Sequence, residues 1–144
     1  MFHVVIFNLK LITWNMQLKR NKMKSYTDLD IYQISYSLAI DVHRLSMKLP
    51  KYELYETGSQ VRRSSKSIPS NIVEGYGRKK YQAEFIRFLI FSHSSCDETI
   101  VHLNFIKDIY EHLKEEAAQL IEKYTELSKK LYKFIEYVET KWKV

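Results

Sequence analysis

The chain has 144 residues, of which 45% are hydrophobic and 28% charged, a composition typical of one globular domain and not of a disordered or low-complexity segment. Three glycines and two prolines supply too few turns for a β-rich fold, and all five lie between Pro50 and Gly77. The formal net charge of +6 comes largely from residues 1–24, which hold five basic residues and no acidic one.

The first 24 residues differ from the remainder in composition. Residues 1–14 are apolar, but positive charge follows the apolar run, Lys10 interrupts it, and it is too short to span a bilayer. We therefore expect residues 1–24 to be a disordered or mis-annotated leader, with Met16 or Met23 as the physiological start. A peripheral membrane anchor is the alternative. The folded domain is expected to cover residues 25–144.

Two amphipathic helices are predicted before Gly75 and Gly77. The first extends from about Asp28, as its N-cap, to Lys48, because apolar residues recur at three- and four-residue steps, and Pro50 ends it. The second starts at Thr57 as a cap. Gly75 and Gly77 are expected to adopt left-handed conformations at its end.

Two longer helices follow. The third is predicted from Lys79 or Lys80 to about Tyr110, and the fourth begins near Glu115 with near-heptad apolar spacing. Four such helices with short connections predict an all-α, antiparallel up-down-up-down four-helix bundle. Aromatic residues that fall partly off the core positions suggest a subunit interface; they are Tyr26, Tyr32, Tyr36, Tyr132 and Tyr137.

The segment 57–80 carries the most specific pattern. It contains Ser67-Ile68-Pro69-Ser70-Asn71-Ile72 followed by Glu74-Gly75 and preceded by Gln60 and Arg62-Arg63. From about Leu29 to Val138, the chain resembles the bacterial four-helix-bundle family encoded in intervening sequences of 23S ribosomal RNA genes. It departs from the family pattern at Ser92, Ser94 and Thr99.

The resemblance implies a homo-oligomer, with pentameric rings of bundles, and no enzymatic activity. A related accessory protein of diversity-generating retroelements binds nucleic acid and a reverse transcriptase. We interpret the signature residues Ser67, Pro69, Asn71, Glu74 and Gly75 as a device for packing and ending the second helix, with a kink at Pro69. The alternative is that Asn71 and Glu74 contact a ligand or partner.

The same segment is basic, with a local net charge of +5 over residues 57–80. We consider its cations candidates for phosphate binding, with Tyr76 and Tyr81 placed to stack on unpaired bases. The alternative is a solvated face with ion pairs. The candidate nucleic-acid-binding residues are Arg62, Arg63, Lys66, Arg78, Lys79, Lys80 and Arg87.

Catalytic and metal sites find little support. Residues 93–97 (His-Ser-Ser-Cys-Asp) include the residue types of a hydrolase triad, but consecutive helical positions point in different directions. The pairs Glu98–His102 and Asp108–His112 lack di-iron spacing. We expect Cys96 to be a core residue. Neither an enzymatic activity nor a metal, cofactor or small-molecule substrate is expected.

A lone cysteine cannot form an intrachain disulfide, which favours a reducing cytoplasm. The sequence therefore predicts a cytoplasmic, non-enzymatic homo-oligomer that binds rRNA or another nucleic acid and no membrane. The alternative function is a protein-protein interaction scaffold, for example an accessory subunit that recruits a polymerase, without direct nucleic-acid contact.

Overall fold

The protein is all-α. The structure, a computed structural model, describes residues 12, 15, 16 and 23–143. Within residues 23–143 it contains four α-helices and no strand: α1 (Asp30–Ser46), α2 (Thr57–Gly77), α3 (Gln82–Ile109) and α4 (Lys114–Lys141). Three short 3₁₀ turns, Tyr26–Asp28, Lys51–Glu53 and Glu111–Leu113, precede α1, α2 and α4.

Helix α1 starts two residues later than the sequence suggested, because Asp28 has another role. The Asp28 carboxylate accepts the backbone N–H groups of Lys24 and Ser25, and the Ser25 hydroxyl accepts the N–H of Thr27. These bonds form a capping box around the preceding 3₁₀ turn. The prediction that Asp28 caps α1 was therefore wrong, and Leu29 occupies the cap position without a side-chain hydrogen bond.

Helix α2 is capped by a carboxylate from outside the helix. Thr57 is its first residue, and its N–H donates to Glu53 Oε2 over 3.2 Å. The other oxygen of Glu53 accepts the Tyr110 hydroxyl at 2.8 Å. These bonds lower the pKa of Glu53, the Tyr110 bond contributing most. Thus Glu53 joins the start of α2 to the end of α3.

The glycines at the end of α2 do not take left-handed conformations, since no glycine in the described residues has a positive φ. The reason for Gly75 is space. A Cβ added there would lie 3.0 Å from Phe88 Cβ and 3.1 Å from Phe85 Cδ2, whereas one at Gly77 would meet nothing within 4 Å. Gly75 therefore permits a close approach of α2 to α3.

One core lies between the helices. Each helix packs against its neighbours in sequence, and α1 also contacts α4. Fully buried apolar side chains come from all four helices, among them Leu45, Ile68, Leu89 and Leu127. Removing such side chains from water supplies most of the folding free energy, at about 25 cal/mol per Å² of apolar surface.

The aromatic residues expected off the core differ in how exposed they are in the structure. Tyr36 and Tyr132 are more than half exposed, Tyr26 and Tyr32 are half-buried, and Tyr137 is buried. The suggestion that Tyr137 lies off the core was therefore wrong. Most of the expected leader lies outside the described residues, although Met16 and Met23 are half-buried against the core. The division at residue 24 stays a prediction.

Candidate nucleic-acid interface

The predicted phosphate-binding residues do not form one patch. Arg62 points inward: its guanidinium donates to the Leu54 carbonyl at 2.6 Å and to Ser46 Oγ at 3.0 Å. It therefore fixes the loop between α1 and α2 and is occupied by protein acceptors. Arg63, the next residue, and Lys66, about one turn further along α2, are exposed and lie away from the second basic group.

The second basic group lies where α2 turns into α3, and we name Arg78, Lys79, Lys80 and Arg87 the basic turn. Glu74 pairs with Arg78 at 2.5 Å and Glu84 with Arg87 at 3.3 Å. Lys79 and Lys80 have no carboxylate within ion-pair distance among the described residues. The basic turn thus carries two cations whose charge is not locally compensated.

Aromatic rings accompany every cation of the basic turn. Arg78 lies 4.6 Å from the Phe88 ring centroid, and Lys79 lies 4.2 Å from that of Tyr76. Lys80 lies 6.0 Å from the ring of Tyr81, which is 64% exposed. Tyr76, by contrast, is half-buried and packs edge-to-face on Phe85. Of the two tyrosines expected to stack on bases, Tyr81 is therefore the more accessible.

The signature residues make contacts within the fold. Asn71 Nδ2 donates to the carbonyl and to the hydroxyl of Ser67, both at 2.9 Å, and Ser67 Oγ lies 3.0 Å from Ser95 Oγ of α3. Glu74 points outward to Arg78. Pro69 is buried inside a helix that continues on both sides of it. Ser67 and Asn71 therefore take part in the contact of α2 with α3, while the role of the signature as a whole stays a prediction.

Small polar residues line the contact of α2 with α3. The Thr99 hydroxyl donates to Ser64 Oγ at 2.9 Å and to the Ser95 carbonyl at 2.8 Å. Ser92 Oγ donates to the Ile68 carbonyl at 2.9 Å. The departures from the family pattern at Ser92 and Thr99 are thus accommodated by hydrogen bonds, which satisfy hydroxyls that are fully buried.

The structure brings together one triad-like set that the sequence did not indicate. Ser128 Oγ of α4 lies 3.0 Å from His93 Nε2, while His93 Nδ1 lies 4.0 Å from Asp97 Oδ2. The second distance is too long for a hydrogen bond. Ser128 also lies mid-helix, where backbone N–H groups are engaged in the helix, so the backbone offers no oxyanion donor beside it. This contact therefore links α3 to α4 without forming a relay.

The other titratable side chains that the sequence offered for a catalytic or metal site contact neighbouring parts of the fold. Cys96 is buried, its thiol donates to the Tyr124 carbonyl at 3.4 Å, and burial raises its pKa to about 12. Glu98 and His102 do meet, at 3.4 Å. Asp108 and His112 do not: α3 ends at Ile109, and His112 lies 3.4 Å from the Lys48 carbonyl. That predicted pair was wrong.

Across the described part of the chain, no three His, Cys, Asp or Glu side chains are grouped as metal ligands would be. In the same residues, no helix is both long enough and apolar enough to cross a membrane.

A groove between α1 and α2 was not indicated by the sequence. This α1–α2 groove is a cavity of about 640 Å³ with Tyr32 and Tyr36 at one end and His43, Arg44 and Lys66 at the other. Apolar atoms of Ile40, Pro69 and Val73 lie between the two ends. It exists because residues 66–74 lie beside residues 32–44, so periodicity along one helix could not reveal it.

Helix α3 exposes a second apolar surface on the side opposite the core. We call this surface the α3 outer face; its large apolar residues are Ile90, Phe91, Val101, Phe105 and Ile109, each 43–60% exposed. They form two groups, Ile90 with Phe91 and Val101 with Phe105 and Ile109, which at 3.6 residues per turn fall within an arc of about 100° on one side of the helix. A count of apolar residues on α3 would have signalled this, because the helix has more of them than one stripe holds.

Four packed helices with a basic turn and an apolar outer face define the described part of the chain as an all-α protein. The profile of the family described as 23S rRNA-intervening sequence protein matches residues 27–133. This match covers most of the chain, which therefore belongs to that family, and the resemblance noted from the signature segment is confirmed. No curated protein sequence matches the chain.

Proposed function

We propose that this protein is a non-enzymatic, self-associating nucleic-acid-binding module that contacts RNA phosphates through the basic turn. The observation that carries the proposal is the pair of uncompensated cations, Lys79 and Lys80, beside the exposed ring of Tyr81. Cations release counterions when they meet phosphate, and an exposed ring stacks on an unpaired base. Single-stranded loops of a folded RNA present both phosphates and unpaired bases, and therefore suit such a surface.

Contacts between the helices support a position of the basic turn at one end of the molecule. Contacts between α2 and α3 pair Ser64 with Thr99 and Ser67 with Ser95. Those between α3 and α4 include Cys96 with Tyr124 and Gln82 with Val138. In both pairs of helices the residue number rises on one helix as it falls on the other. We infer from this an antiparallel up-down-up-down bundle, with the α2–α3 turn at a tip free to reach a groove or loop.

Self-association is the second part of the proposal. Five large apolar side chains along the α3 outer face exceed the scattered exposure that is normal for a monomer. A pentameric ring, as the family resemblance implies, would repeat the basic turn and add avidity for RNA. We place this assembly in the cytoplasm, consistent with a buried, reduced Cys96.

Anisotropy titrations of structured rRNA fragments with the full chain, at several salt concentrations, test the proposal. Lys79→Glu with Lys80→Glu is compared with Lys129→Glu and Lys130→Glu, two exposed lysines of α4. Basic residues of the leader are present in all three proteins and cancel in the comparison. We expect the slope of log K against log salt to fall by about 1.4–1.8 for the basic-turn variant, since each phosphate contact contributes about 0.7–0.9.

Two results would contradict the proposal. An equal loss of slope in both double variants would show that the basic turn is not the contact. Absence of binding at low salt by the unmodified oligomer would remove the nucleic-acid function altogether. In that event the protein-scaffold alternative stands, supported by the α3 outer face, which offers a partner protein an apolar surface.

A further inference from the structure

We infer that the α1–α2 groove binds a free nucleotide, with its base on the ring of Tyr36 and its phosphates at Arg44 and Lys66. The inference goes beyond the proposed RNA contact, because the groove and the basic turn are formed by different residues. Three features of the groove identify the class of ligand: an aromatic end, an apolar middle and a cationic end.

The groove has the size of a small-molecule site. Its volume of about 640 Å³ lies within the range of about 300–1,000 Å³ that is usual for ligand pockets. From Tyr36 to Arg44 it follows about 12 Å of α1, at 1.5 Å per residue. Apolar atoms of Ile40, Pro69 and Val73 line the middle. A base, a ribose and a short phosphate chain arranged in line can therefore reach both ends.

The aromatic end is built by three tyrosines that contact one another. Tyr36 is 54% exposed, and its ring centroid lies 6.0 Å from that of Tyr32, with the two planes inclined by 33°. Tyr32 is half-buried and meets the ring of Tyr26 edge-to-face at 5.0 Å. The exposed ring of Tyr36 is thus supported by protein on one side, and such a ring stacks on any base.

The cationic end carries two charges that the fold does not use. Arg62 of α2 donates to Ser46 of α1 at 3.0 Å, which brings the first half of α2 beside the end of α1. Lys66 therefore lines the groove together with His43 and Arg44. Arg44 and Lys66 are exposed, and neither has a carboxylate within ion-pair distance among residues 23–143. Guanidinium and ammonium groups are common phosphate ligands in proteins.

A carboxylate at the opposite end favours a ligand with a single anionic end. Among the described residues that line the groove, Glu74 alone is acidic. It lies eight residues after Lys66, about 12 Å along α2, and one of its oxygens pairs with Arg78 at 2.5 Å. A strand of RNA has phosphates on both sides of each base, so one of them would approach Glu74, which is unfavourable. A free nucleotide keeps all its phosphates at the cationic end.

Calorimetric titration of the full chain with ADP tests the inference. We expect saturable binding whose Kd rises at least about tenfold in Arg44→Glu with Lys66→Glu, because a lost charge-assisted hydrogen bond costs about that factor. Tyr36→Ala should raise the Kd at least about fivefold, through loss of base stacking. All three residues are exposed, so circular dichroism should show an unchanged fold.

Matched variants elsewhere on the surface separate the groove from other sites. Lys129→Glu with Lys130→Glu, and Tyr132→Ala, make the same kinds of change at exposed positions of α4, and both should keep the Kd for ADP. Lys79→Glu with Lys80→Glu should also keep it. Loss of ADP binding in this last variant, with binding retained in the groove variants, would place the nucleotide at the basic turn and overturn the inference.

Fragments of the ligand test its class. Adenosine and inorganic pyrophosphate should each bind at least about tenfold more weakly than ADP, because each occupies only one end of the groove. Pyrophosphate that binds as tightly as ADP, or a folded chain that binds no ADP at millimolar concentration, would overturn the nucleotide site. Single-stranded oligoadenylate that binds the Lys79→Glu and Lys80→Glu variant more tightly than ADP does would also overturn it. None of these results bears on the basic turn, which the salt dependence of RNA binding tests separately.

Discussion

Gly75 is required for the packing of α2 against α3 and not for an unusual backbone conformation. It lies in α2 where Phe85 and Phe88 of α3 approach, and a Cβ there would be 3.0 Å from Phe88 Cβ and 3.2 Å from the Phe85 carbonyl oxygen. Contacts this short force neighbouring atoms to move. The Phe85 carbonyl belongs to the α3 backbone and cannot rotate away, so Gly75→Ala should push the two helices apart.

The magnitude follows from two opposing effects. Replacing glycine by alanine in a helix stabilises it by up to about 1 kcal/mol, while overpacking a tight contact costs typically about 1–3 kcal/mol. Gly77→Ala, where a Cβ meets nothing within 4 Å, experiences only the first effect. We therefore expect Gly75→Ala to be less stable than Gly77→Ala by about 1–3 kcal/mol.

Urea unfolding followed by circular dichroism measures this difference. Both variants and the unmodified protein are compared at one low concentration, because association shifts apparent stability by mass action. An unchanged m-value shows that the midpoints report stability. If Gly75→Ala were as stable as Gly77→Ala, the close approach of α2 and α3 at this position would be refuted.

Three further substitutions test other contacts. Arg62→Ala should lower the free energy of unfolding by about 1.5–3 kcal/mol, because the charged guanidinium donates hydrogen bonds to Leu54 and Ser46. Arg63→Ala, at an exposed position, should change it by less than about 0.5 kcal/mol. Equal losses in the two variants would contradict the inward position of Arg62. Tyr124→Phe should keep or raise the melting temperature, because this buried hydroxyl lacks a hydrogen-bond partner among the described residues, and a fall would reveal a partner. Glu53 has a lowered pKa, so its carboxylate stabilises the fold above about pH 4.5, and this contribution is lost as the pH falls; urea midpoints of Glu53→Gln should therefore depend less on pH between 5 and 3.

The family assignment changes how the basic residues are weighed. Sequence reasoning counted Arg62, Arg63 and Lys66 as candidate phosphate-binding residues alongside those of the basic turn, without requiring a single patch. In the structure the Arg62 guanidinium is hydrogen-bonded to the Leu54 carbonyl, and Lys66 borders the α1–α2 groove. Among these candidates, only the basic turn has uncompensated cations beside an exposed aromatic ring. We therefore propose separate surfaces for RNA binding and for self-association, which separate variants can test.

Local patterns in the sequence determined the helices themselves. Apolar residues at three- and four-residue steps, Pro50 and the glycine pair placed four helices within a few residues of their bounds, because helical periodicity and chain breakers act over one or two turns. The signature segment also determined the family. The same reasoning went wrong at Asp28, whose carboxylate accepts from Lys24 and Ser25 just before it, and at Gly75, where the deciding contact comes from α3.

Contacts between helices decided what no single segment shows. The inward guanidinium of Arg62, the cap that Glu53 provides with Tyr110, and the groove between Tyr36 and Lys66 each join residues that are far apart in the chain. Sequence spacing gives the side of a helix on which a residue lies, but not which neighbour covers that side. Tertiary packing therefore decided which cations are hydrogen-bonded within the protein and which apolar faces remain exposed.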